Sequence, residues 1–129
     1  MVFSLLLLWL LVNLVLLKTL GIRSGSDTEV YEAMAYALLE GNLPDGRLLW
    51  YSSYIALLAV IFGLGGGYAW VVGVQVLLSG IAAFFLALAV RKMSGDVRVA
   101  FVAVLLYLAW VKIHQWNVFI YTEIGRAHV

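Results

Sequence analysis

Tyr68-Ala-Trp-Val-Val-Gly-Val-Gln-Val-Leu-Leu-Ser-Gly-Ile-Ala-Ala-Phe-Phe-Leu-Ala-Leu-Ala-Val90 decides the fold, because twenty-three residues pass without a charge. At about 1.5 Å rise per residue this helix reaches about 34 Å, enough to cross a hydrocarbon core of roughly 30 Å. Arg91 and Lys92 close it, and Arg98 opens the next apolar run across a short polar turn. Ser79, Ala83 and Ala87 recur every four residues, a stripe of small side chains suited to close helix packing.

Working outward, residues 2–20 are apolar except for Ser4, Asn13, Lys18 and Thr19. Nineteen residues of helix cover about 28 Å, again a span. A signal peptide is the competing reading. It lacks support because the start carries no basic residue and no small-x-small cleavage site follows. The missing basic start also raises the expectation that Met1 is not the natural beginning. On the far side, residues 98–118 make a third span, apolar to about residue 112. Lys112, His114, Gln115 and Asn117 beyond it are expected to face protein or water.

Between the first two spans the pattern changes. Gly21-Ile-Arg-Ser-Gly-Ser26 reads as loop, and Ser26 with Glu29 forms a capping box that starts a helix over 27–40. Val30, Ala33, Met34, Ala37 and Leu38 follow at helical spacing, with Glu29, Glu32, Tyr36 and Glu40 opposite. Gly41-Asn42 ends it and Pro44 prevents its return. Residues 48–62 form a second helix of about 22 Å, short for a span. Gly63-Leu-Gly-Gly-Gly67 then breaks it; without a following Lys-Ser/Thr, this is no phosphate loop. The expected architecture is an all-α integral membrane protein. Three transmembrane helices lie at about 2–20, 68–90 and 98–118, and two juxtamembrane helices at about 27–40 and 48–62 fill the first outside loop.

Composition agrees. Of 129 residues 65% are hydrophobic and 12% charged, where a soluble domain carries about a quarter charged. A net charge of +1 leaves no basic surface for nucleic acid, and the absence of cysteine excludes disulfides and thiolate metal sites. With 48–62 outside the bilayer, Asp27 and Glu123 emerge on one side and Arg91, Lys92 and Arg98 on the other. The positive-inside rule then puts the basic trio in the cytoplasm, although Lys18, Arg23 and Arg47 weigh the other way.

The last residues, Glu123-Ile-Gly-Arg-Ala-His-Val129, match the translation of a common sequencing adapter. Residues 124–129 are therefore expected to be foreign, and 1–123 to be the N-terminal part of a longer protein. Glu123 would keep only the first base of its codon from the gene.

A carboxylate just outside a span is costly to keep without a partner or a use, which singles out Asp27. The competing structural explanation is that acidic residues in a helix's first turn face the positive end of its dipole, worth about 0.3–1 kcal/mol. Glu29 is accounted for by capping, and Glu32 and Glu40 by a solvated face. His114 reads as a hydrogen-bonded boundary residue, and Trp110, Trp116 and Tyr121 as interfacial anchors.

Asp27-Thr-x-x-x-Tyr31, Ala35, Leu38-Leu39-x-Gly41 and Tyr54-Ile55-x-Leu57-Leu58 then fall into a recognisable order. Gln75-Val-Leu-Leu-Ser79 and Trp116-Asn117-x-x-Ile120-Tyr121-Thr122-Glu123 continue it. Together they resemble the N-terminal part of polytopic glycosyltransferases that use polyprenyl-phosphate sugars, the GT-C class, near its protein-mannosyltransferase-like branch. The resemblance implies two juxtamembrane helices in the first outside loop and sugar transfer at the outer face of the cytoplasmic membrane. It implies catalytic roles for Asp27 and Glu123 and room for a divalent metal ion as cofactor; Arg23, four residues before Asp27, is a candidate donor-phosphate contact or a headgroup anchor. The partners it implies are the bilayer, a polyprenyl-phosphate-linked sugar and an acceptor of unspecified class. Two rival readings remain open. One is a transporter or channel with Gln75, Lys112 and His114 lining a pathway; the other is a small membrane adaptor.

Overall fold

The computed structural model describes residues 2–120. It is all-helical, with one isolated parallel bridge between Arg23 and Phe119 among the described residues. The described chain divides into two compact units, residues 2–21 with Gly73–Val118, and Ile22–Val72 with Phe119 and Ile120.

In the first unit, α1 (Val2–Leu20) packs against α5 (Val97–Ala109) and the short segment that follows it. Most of α4 (Tyr68–Ser94) belongs to the same unit. Ala83, Val104 and Leu108 are buried at its centre, with Leu8, Trp9 and Leu86 packed around them. Several polar side chains among these apolar helices pair with one another or with backbone, as buried polar groups generally do. The Trp9 indole donates to Ser79 Oγ at 3.0 Å, and that hydroxyl donates to the Val76 carbonyl at 2.7 Å. Asn13 donates to the Trp9 carbonyl at 2.9 Å and accepts from Asn117 Nδ2 at 2.8 Å. The small-residue stripe is used as expected. A Cβ on Gly80 would lie 2.9 Å from the Trp9 ring, so only glycine admits the indole there. Phe3, Leu7, Leu11 and Leu14 are exposed, an apolar outer surface suited to a lipid environment.

α4 runs past Val90 to Ser94, which puts Arg91 and Lys92 in its last turn, where cations suit the helix dipole. Gly95, at φ 70°, turns the chain, and Asp96 caps α5 by accepting the Arg98 N–H at 2.7 Å.

The expected third span is not one helix. α5 stops at Ala109, and α6 (Val111–His114) with a 3-10 turn over Gln115–Val118 departs at 61°. The cause lies in one carbonyl. Tyr107 O takes the Trp110 N–H at 3.2 Å and sits 3.0 Å from His114 Nε2, so a side chain enters the helical ladder. A carbonyl only accepts, so Nε2 carries the hydrogen. The His114 ring is fully buried, edge-on to Tyr107 at 4.7 Å between centroids.

In the second unit, α2 (Ser26–Leu39) lies beside α3 (Ser52–Gly63). Tyr31 meets Tyr54 at 5.7 Å, Tyr36 stacks on Phe62 at 5.5 Å, and Leu39 covers Gly63. The contacts keep the same order along both helices, so the two run in the same direction. Ile55, Leu58, Ala59 and Ile61 are buried. A 3-10 turn over Gly46–Tyr51 precedes α3 without a break, giving an eighteen-residue apolar run, Gly46–Gly63. The expected helix over 48–62 is therefore longer than its apolar core indicated. At about 2.0 and 1.5 Å per residue for its two parts it reaches about 30 Å. Among the described residues three helices, over Phe3–Leu20, Gly46–Gly63 and Tyr68–Ser94, are long and apolar enough to cross a membrane, and the bent pair after Asp96 makes a fourth if counted as one span.

Candidate functional site

The acidic helix start is built differently from the expected capping box. Gly25, in extended conformation at φ −132° and ψ −179°, is the N-cap, and Ser26 is already helical. Thr28 replaces Glu29 as the returning residue: its Oγ1 accepts the Gly25 N–H at 2.9 Å, while its own N–H reaches the Gly25 carbonyl at 3.0 Å. Three residues is the distance a threonine hydroxyl can bridge back across a first turn. Glu29 is left exposed, with no role in the cap.

The same hydroxyl does a second job. Thr28 Oγ1 donates to the Ile120 carbonyl at 2.6 Å, and the Ile120 N–H donates to the Arg23 carbonyl at 2.9 Å. Thr28 is 2% exposed and Ile120 fully buried, so these bonds are shielded from water. The loop bearing Arg23, the first turn bearing Asp27 and the chain entering Tyr121-Thr122-Glu123 are clasped at one point. Sequence reasoning passed over Thr28. The available signal was a hydroxyl three residues after a glycine at a helix start.

Asp27 sits beside this clasp at the second position of α2, half-buried, and the Arg23 side chain is exposed. One turn on from Asp27, on the same face, Tyr31 is buried against Tyr51 at 5.5 Å and Tyr54 at 5.7 Å. A partly exposed carboxylate can accept a proton from a hydroxyl held beside it. Glu32 accepts the Tyr68 hydroxyl at an exposed site, in keeping with the solvated face expected for it. Glu123 lies outside the described residues. Among the described residues no three imidazole or carboxylate groups converge as a metal site. Asp27 alone would supply one ligand.

Of the residues in the pathway reading, Lys112 is exposed and His114 is fully buried against Tyr107. Gln75 is half-buried on α4. Set against known protein families, curated proteins and solved structures, the chain matches none of them.

Proposed function

We propose that this chain forms the acceptor-side frame of an inverting membrane glycosyltransferase that draws on a polyprenyl-phosphate sugar. The observation that carries the reading is the Thr28 clasp, which joins the turn holding Asp27 to the segment leading, three residues later, to Glu123. In the reaction an acceptor oxygen attacks the anomeric carbon as the bond to phosphate breaks. Polyprenyl phosphate leaves, and the acceptor proton passes to a carboxylate. Asp27 takes that proton, and Arg23, four residues earlier, offsets charge at the departing phosphate.

The side-by-side packing of α2 and α3 supports a juxtamembrane place for both. Were α3 to cross, α2 alongside it would draw Glu29 and Glu32 towards hydrocarbon, at about 2.5–3.5 kcal/mol for each charge near the bilayer centre. With α3 at the surface, α1, α4 and the bent α5–α6 segment are the crossings. Asp27 then faces the outer side of the cytoplasmic membrane.

Replacing Asp27 by Asn in the full-length protein and measuring sugar transfer in membranes tests the assignment. Loss of a general base lowers the rate by roughly 10²–10⁴-fold. Transfer at the parent rate would remove Asp27 from the reaction.

A further inference from the structure

Leu5, Trp9, Gly80, Ala83, Phe101 and Val104 line an apolar groove of about 510 Å³ formed by α1, α4 and α5. Arg91 is the single charged residue among its described lining, and it stands at one end. Leu77 and Arg91 both line the groove, and between them α4 advances about 21 Å, more than half of a roughly 30 Å hydrocarbon core. The volume falls within the roughly 300–1,000 Å³ of small-ligand sites. A helix about 10 Å across would not fit within it over that length.

The charged end is basic. Arg91 and Lys92 occupy the last turn of α4, and Arg98 the first turn of α5, all exposed. The one nearby carboxylate, Asp96, is turned onto the Arg98 N–H as the α5 cap. A long uncharged slot ending at cations where the helices leave the bilayer complements a molecule with an apolar tail and an anionic head. The geometry points to this groove as the seat of one acyl chain of an anionic membrane phospholipid, with its phosphate held by Arg91. The guanidinium presents a fork of N–H donors matched to phosphate oxygens, and a juxtamembrane cation adds attraction of its own. The groove lies within the α1–α4–α5 unit, and the site does not depend on Asp27.

The test uses the chain reconstituted in phosphatidylcholine vesicles carrying a trace of photoreactive-acyl phosphatidylglycerol or, separately, the matching phosphatidylcholine probe. Cross-links are mapped by mass spectrometry. The phosphatidylglycerol probe is expected to label the segments around Leu5, Gly80 and Val104 in preference to the lipid-facing Leu11 and Leu14. Arg91→Gln should lower that labelling about fivefold, the worth of one basic side chain near a membrane surface. Ala87→Trp, which fills the slot and keeps Arg91, should abolish labelling at Gly80. Equal labelling by both probes, labelling spread evenly over the outer faces, or no groove labelling by either would each overturn the site. The same holds if Ala87→Trp leaves the Gly80 cross-link intact.

Discussion

In the unit of α1, α4 and α5, polar side chains are spent on one another: Trp9 on Ser79, Asn13 on Asn117, His114 on the Tyr107 carbonyl. What that unit shows outward is Phe3, Leu7, Leu11 and Phe84. In the unit of α2 and α3 the balance is reversed. Asp27 stays half-open, Glu29 and Glu40 are exposed, and buried Tyr31 meets the half-buried Tyr51 and Tyr54. One unit turns apolar side chains outward and pairs several polar ones within; the other leaves carboxylates accessible at its surface. The proposed reaction centre belongs to the second.

The comparison breaks first at Thr28. Thr28→Val keeps the shape and removes both hydroxyl bonds, leaving a buried Ile120 carbonyl and the Gly25 N–H without that partner. A loss of about 2–4 kcal/mol is expected in thermal unfolding in micelles, restored by Thr28→Ser. A valine whose stability equals the parent's would show the clasp to be incidental. Next comes Gly80→Val, which drives a branched side chain into the Trp9 ring and should cost about 1–3 kcal/mol. An unchanged melting temperature would mean that α1 and α4 are free to separate.

Smaller effects sharpen the contrast. Asn13→Leu should cost about 0.6–1.7 kcal/mol by stranding Asn117, and adding Asn117→Leu should cost little more. Additive losses in that cycle would show that the two amides do not act as a pair. The smallest change is expected from Glu32→Gln, whose partner Tyr68 lies at an exposed site. A shift within about 0.5 kcal/mol is anticipated, read by the same melting assay.

Periodicity made the helices legible. The uncharged run over 68–90 and the apolar start produced α4 and α1, and the alternation after Ser26 produced α2. Two things were hidden. The break at Trp110 arises from a histidine reaching back seven residues to a carbonyl, a contact that no local propensity encodes. The extension of α3 back to Gly46 comes from a 3-10 turn across Arg47, where a charge and a glycine read as loop. At the site, Asp27 and Arg23 stood out by charge beside a span. Thr28 did not, because its importance depends on a partner ninety-two residues away.

The most direct measurement is the sidedness of Ser24 and Met93, each replaced singly by cysteine in a chain that has no other and labelled from outside intact cells with an impermeant reagent. Both positions are exposed. With α3 lying against α2 at the surface, only α4 separates the two positions, and they label from opposite sides. Labelling from the same side would mean that α3 crosses the membrane, placing Asp27 on the face of Arg91 and Lys92 and contradicting the surface site.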